Sequence, residues 1–203
     1  MCGLSTAEIG NAFMVSESAI AQRLTRARGK IAVAGIPYRV PADDELGDRL
    51  NDVLAVTYLL FNEGYLCSAG DRPQRRDLTD DAEWLAALLA RLMPTEPEVL
   101  GLLALIRLHR ARALARFDRH GRLVLLRDQD RTRWNRTEIA AGADLVVHAA
   151  RLRRPGSYQL QAAIVACHAE ARSWEDTDWL QILLLYDEIG QRDPAGYHVV
   201  GHR

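Results

Sequence analysis

Residues Leu4–Ile31 read LSTAEIGNAFMVSESAIAQRLTRARGKI. Ser5 with Glu8 forms an S-x-x-E capping box at the start of a first helix. Ala7, Ile9, Ala12 and Phe13 give that helix a short apolar face. Met14-Val15-Ser16 is a break, and Ser16 caps a second helix. In that helix Ile20, Leu24, Ala27 and Ile31 recur at i, i+4, i+7 and i+11, which predicts an inward stripe. The opposite face carries Ser18, Gln22, Arg23, Arg26 and Lys30. A short scaffold helix, a tight turn and a second helix with a polar outer face are what a DNA-reading helix-turn-helix needs. Gln22 and Arg23 suit base edges, since glutamine pairs with adenine and arginine with guanine. Arg26, Arg28 and Lys30 suit phosphates. Glu17 and Ser18 stand at the helix start, nearest a groove floor. The competing reading is a solvated basic face on an ordinary helical hairpin.

The pattern stays helical along the rest of the 203 residues. Gly35, Pro37 and Pro41 block helix continuation and mark a linker over 34–42. Asp43 or Asp44 caps the next helix, with Leu46, Leu50, Val53, Leu54, Thr57, Leu60 and Phe61 as its stripe, ending near Gly64. A polar loop follows. Asp80 and Glu83 signal another start before Trp84, Leu85, Leu88, Leu89 and Leu92, and Pro94 stops it. Thr95 and Glu98 open a helix expected to reach about Phe117, with Val99, Leu102, Leu103, Ile106 and Leu114 inward. Leu123–Leu126 reads equally as an extended segment or a short helix. Helices resume over 136–151, 157–173 and 177–189, the last two as a hairpin of repeat-like size with Asp176 or Thr177 as cap. A poorly ordered tail is expected over 191–203. The expected class is all-α.

Composition narrows the function. The apolar fraction of 48% allows a buried core, and the net charge is -1. The charge is uneven. Residues 1–41 hold four arginines and Lys30 against Glu8 and Glu17, a balance of +3 that leaves -4 for the rest. No run of roughly 18 uncharged apolar residues predicts a membrane span. No basic-then-apolar signal opens the chain, so the expected place is the cytoplasm. Cys2, Cys67 and Cys167 are scattered and form no CxxC pair. Asp128 and Asp130 in RDQDRTRWNR, the acids of EDTD, and His109, His120, His148 and His168 invite a catalytic or metal reading. The plainer reading is an Arg–Asp run satisfied by its own pairing and tying a loop to a helix, with Asp176 and Asp178 as caps. No nucleophile-base pair, phosphate loop or H-E-x-x-H stretch stands out. Neither enzyme chemistry, metal nor cofactor is expected. Trp84, Trp134, Trp174 and Trp179 are read as packing anchors, with an aromatic ligand pocket as the alternative.

Leu4, Ser5, Glu8, Ile9, Val15, Ile20, Arg23, Leu24, Arg26, Ala27 and Arg28 together resemble region 4 of bacterial extracytoplasmic-function sigma factors. Met14 stands where many members have a turn glycine, and Gly10 replaces the usual helix alanine. Both departures are expected to weaken the motif, glycine within a helix costing about 1 kcal/mol. AGIPYRVP, YLLFNEGY, LMPTEPEVLGLLAL, LVLLRDQDRTRWNR, YQLQAAIVACHAEA and DTDWLQILLLYDEI are similar to the helical extension of one subgroup, which leads into tetratricopeptide-like repeats. The resemblance implies a partial region 4 over 1–33, an extension domain over 43–151 and a first repeat hairpin over 152–190. It implies promoter minus-35 DNA as ligand of Ser16, Glu17, Ser18, Gln22, Arg23, Arg26, Arg28 and Lys30. RNA polymerase core is the implied partner, and the extension regulates by contact with the sigma regions or another protein. Region 2, which opens complete members, has no counterpart here, so a fragment is expected. The alternative is a stand-alone helical interaction module that binds no DNA.

Overall fold

Ser5 and Glu8 close their capping box: the Ser5 hydroxyl accepts from Glu8 N at 3.2 Å and the Glu8 carboxylate from Ser5 N at 2.6 Å. That starts α1, Thr6–Ala12. The Ser16 hydroxyl accepts from Ala19 N and starts α2, Glu17–Ala34, which Gly35 ends at φ 58°. The computed structural model describes residues 4–35, 43–66 and 75–192. Further helices are α3 (Asp43–Tyr65), α4 (Arg76–Leu92), α5 (Pro97–Arg110), α6 (Arg136–Arg151), α7 (Ser157–Glu170) and α8 (Trp179–Arg192). Three short 3-10 turns lie between α5 and α6, and no strand occurs among the described residues. The protein is all-α. Two compact units divide it, residues 1–82 and 83–203, with the boundary inside α4.

In the first unit α1 packs on α2 and touches α3. Leu54, Thr57, Tyr58, Leu60, Phe61, Glu63 and Gly64 of α3 are buried, a face that covers more than half of the helix. The Phe61 and Tyr65 rings stack at 5.0 Å.

In the second unit α5 is apolar on all sides, and almost every residue from Pro97 to His109 is buried. Such a helix must be enclosed. α6 and α7 pack on α5 and on each other, and α8 packs on α7. The approach of α5 to α7 requires Gly101, where a Cβ would sit 2.5 Å from Gln159 N. Glu83 in α4 ties to α5 through Arg107 at 3.2 Å and Arg110 at 3.0 Å.

Both ends of α7 are finished by side chains from elsewhere in the chain. Its N-cap residue, Gly156, offers no side chain. The Glu98 carboxylate instead accepts from Tyr158 N at 3.1 Å and Gln159 N at 3.0 Å. At the other end Arg131 Nη1 donates to His168 O at 2.7 Å and Ala171 O at 2.8 Å, and Arg136 Nη1 to Ala169 O at 3.3 Å. The buried Trp134 ring lies under the Arg131 guanidinium at 4.5 Å and near that of Arg112 at 5.9 Å. Asn135 caps α6 by accepting from Thr137 N and Glu138 N.

Several expectations are corrected. α4 begins at Arg76, so Asp80 and Glu83 lie inside it rather than at its start. Its buried residues are Leu78, Thr79, Ala82 and Ala86, while Leu92 is exposed and Trp84 is 64% exposed. The small alanines, not the largest residues, face inward. Trp84 is therefore no packing anchor. α5 ends at Arg110, which leaves Leu114 exposed, and Val53 of α3 is exposed too. Leu123 pairs with Phe117 in an isolated bridge, and Leu126–Asp128 is a 3-10 turn. α7 stops at Glu170 and α8 runs from Trp179 to Arg192, capped by Asp178, which accepts from Gln181 N at 2.9 Å. Residues 36–42 of the expected linker, 67–74 of the polar loop and 193–203 of the tail lie outside the described residues, as do the Asp43, Asp44 and Leu46 side chains.

Burial holds the Glu98 carboxyl above its ordinary value of 4.5, outweighing the backbone N–H groups that favour its charge. The folded chain then binds that proton more tightly than the unfolded chain. Its contribution to stability is fully present below 4.5 and is lost as pH rises through the raised folded value. Chemical denaturation of wild type and Glu98→Gln across this range should show the wild-type advantage shrinking as pH rises, and a constant difference refutes it. Glu98→Ala should cost about 2–4 kcal/mol, because two buried N–H groups lose their acceptor.

Candidate nucleic-acid interface

The turn between α1 and α2 is built on close backbone approach. Val15 N donates to Gly10 O at 2.9 Å. A Cβ on Gly10 would lie 2.8 Å from Val15 O. Gly10 therefore permits this turn, and the expectation that it simply weakens the motif is corrected. Met14 has φ 53°, a left-handed conformation that favours glycine, and its side chain is 90% exposed. There the departure from glycine places a side chain on left-handed backbone.

Ile20 is buried and Leu24 half-buried, which anchors the first half of α2. Every residue from Thr25 to Gly35 is exposed, including Ile31 at 53%. The inward stripe thus ends before Ile31, because α1 is only seven residues long and does not reach it.

Ser16, Glu17, Ser18, Gln22, Arg23, Arg26, Arg28 and Lys30 are all exposed. They do not share one face. At about 100° per residue, Ser18, Gln22, Arg26 and Lys30 form one slowly turning line, and Arg23 falls within about 20° of Lys30. Arg28 is about 200° round the helix from Arg26, and close to the angular position of Glu17. The Glu17 carboxylate accepts from the Thr6 hydroxyl of α1 at 2.7 Å. Ser16 spends its hydroxyl on capping. No carboxylate stands on the outward line. Arg23, Arg26, Arg28 and Lys30 form no ion pair among the described residues.

The other clusters make mostly local bonds. Asp130 accepts from Thr132 N at 3.0 Å and from its hydroxyl at 2.6 Å, and these bonds hold its carboxyl below the usual range. Within RDQDRTRWNR only Arg127 and Asp128 pair, at 3.5 Å; Arg131 and Arg136 spend their charge on carbonyls. The expected self-pairing of this run is corrected in that respect, while its tie to a helix holds. His109 bonds Arg112 at 2.9 Å and His120 bonds Arg119 at 3.0 Å. His148 is exposed. His168 lies 6.0 Å from the Trp174 ring and 5.4 Å from that of Trp179. Among the described residues no three His, Cys, Asp or Glu side chains are grouped to hold a metal. Cys167 is half-buried, and burial pushes its thiol up, away from the thiolate a nucleophile needs. No helix there is long and apolar enough to cross a membrane. The roles of Glu98 and Arg131 escaped sequence reading. Their only signal was an acid in PTEPE and an arginine in DRTRW, neither of which names a distant helix end.

A model described as a family of unknown function, DUF6596, matches residues 49–150, half of the chain. The chain belongs to the DUF6596 family. The DUF6596 match runs from within α3 to the last turn of α6, so the α1–α2 hairpin and the α7–α8 hairpin lie outside it. Glu98 and Arg131 lie inside the DUF6596 segment, yet both act on α7, beyond its edge. An uncharacterized protein of Rhizobium meliloti (strain 1021) is 48% identical over 193 residues, covering 95% of this chain and 46% of that protein. The chain spans about half the length of this curated relative. No solved structure matches it.

Met14→Gly should stabilise the α1–α2 hairpin by about 0.5–1 kcal/mol, the relief of left-handed strain exceeding the added unfolded-state entropy. Gly10→Ala should cost about 1–3 kcal/mol despite alanine's helix propensity, because its methyl meets backbone. Amide exchange of α1 reads both. Slower exchange in Gly10→Ala counts against the close-approach account.

Proposed function

We propose that this chain reads promoter DNA for RNA polymerase, with α2 as the recognition helix. The observation that carries the reading is the outward line Ser18, Gln22, Arg26 and Lys30, exposed with Arg23 beside it and free of carboxylates. It stands on a helix whose start is fixed by Ser16 and whose inner side is anchored by Ile20. In this reading Ser18, Gln22 and Arg23 meet base edges, while Arg26 and Lys30 meet phosphates. Ser16 and Glu17 set the pitch of the helix start, and Arg28 reaches at most the far wall of the groove. The chain makes and breaks no bond. Its work is to hold RNA polymerase core at a minus-35 element, and the helices from α3 onward regulate that work by protein contact. The resemblance to sigma region 4 supports this, as does the +3 balance of the first 41 residues.

A stand-alone interaction module is the second reading. The exposed Leu180, Leu183 and Leu184 on α8 favour it, since they line one helix face without a described cover.

Titration of duplex DNA at rising salt separates the two. Each lost phosphate contact should lower the slope of log affinity on log salt by about 0.9. Arg26→Ala and Lys30→Ala should each show that loss, Arg28→Ala much less. Arg23→Ala should relax discrimination at one base pair by about 1–3 kcal/mol. No duplex binding by wild type at low salt leaves only the second reading.

A further inference from the structure

Arg75 stands where three elements of the first unit meet. Its N–H donates to Gly64 O, near the end of α3, at 2.9 Å, and its carbonyl accepts from Thr79 N of α4 at 3.4 Å. Its guanidinium forks: Nη1 donates to Glu8 Oε1 of α1 at 3.0 Å and Nη2 to Asp77 Oδ2 at 2.9 Å. The Glu8 side chain is nearly buried. Its second oxygen, Oε2, accepts from Ser5 N and closes the capping box. One carboxylate thus fixes the start of α1 with one oxygen and receives Arg75 with the other.

The position of that contact gives it leverage. α1 has seven residues, too few to hold a direction alone. α2 is exposed from Thr25 onward, so its direction is set at its first turns, by Ile20 and by α1. Its 18 residues span about 27 Å, and a tilt of about 10° at the base moves the far end by about 5 Å. That exceeds what a hydrogen bond tolerates.

We infer that Arg75 is a positioning residue that fixes the pitch of the α1–α2 hairpin on the frame of α3 and α4. It would govern DNA affinity without touching DNA, a consequence that rests on the DNA-reading proposal above. A lysine cannot replace it fully, because an ammonium has no planar fork to bridge Glu8 and Asp77.

The test uses the full chain with Arg75→Gln, Glu8→Gln and the double variant. Glutamine at position 8 keeps the capping box through its one oxygen and removes both the charge and the acceptor that Arg75 meets. The probe is duplex DNA selected from a random pool by the wild-type chain. Each single variant should bind about three- to tenfold more weakly, with the salt slope unchanged, and the double variant no worse than either. Arg75→Lys should recover part of the loss. Unchanged affinity overturns the inference; so does a slope lowered by one contact, which would make Arg75 itself a phosphate ligand, and so do additive losses. If wild type selects no duplex, the DNA reading falls and amide exchange decides the coupling. Faster exchange across Ala7–Ala12 in both single variants, without addition in the double, supports it, and unchanged exchange rejects it.

Discussion

The second unit depends on how α7 is terminated. α7 buries residues on most of its circumference against α5, α6 and α8, so it cannot turn its ends to water at will. A helix leaves four N–H groups and four carbonyls unpaired at its ends. Here a carboxylate from α5 takes N-terminal donors, and Arg131 from the loop before α6 and Arg136, the first residue of α6, take C-terminal acceptors. The placement also matches the helix dipole, acid at the positive end and base at the negative end. Glu98 and Arg136 belong to helices that themselves pack on α7, so these caps tie the ends of α7 to its neighbours.

The loop from Ala111 to Asn135 follows from the same constraint. It must leave α5, present Arg131 to α7 and deliver Asn135 to the start of α6. Asp118 stiffens its reversal by accepting from His120 N, Arg122 N and the Arg122 side chain. Trp134 supplies a flat, buried platform that keeps Arg131 extended toward the carbonyls. Part of the charged run that looked like a candidate for chemistry takes part in this framing. Asp130 serves a 3-10 turn, and Arg131 serves a helix end.

The first unit is organised differently. Its α1–α2 hairpin is set mainly by bonds between near neighbours: Ser5 with Glu8, Ser16 with Ala19, Gly10 with Val15. Little of α2 is spent on packing. That leaves a long exposed helix whose Arg23, Arg26, Arg28 and Lys30 form no ion pair among the described residues.

Local rules carried far in this sequence. The two serine caps, the extent of the all-α pattern, the span of α6 and the inward Ile20 follow from side-chain chemistry within a few residues and from the helical period, and both are present in any window of the chain. The same period already separates Arg28 from Arg26. What the tertiary structure alone decided is where long-range partners meet. Glu98 finds two N–H groups some 60 positions away, Arg131 finds the end of α7, and Arg75 finds Glu8. It also decided that Ala82 and Ala86 turn inward while Trp84 does not, and that Ile31 is left exposed. The reason is physical. A cap or a turn is satisfied by atoms that the chain itself brings adjacent, whereas burial and a distant hydrogen bond depend on which helix arrives opposite, and no single segment contains that information.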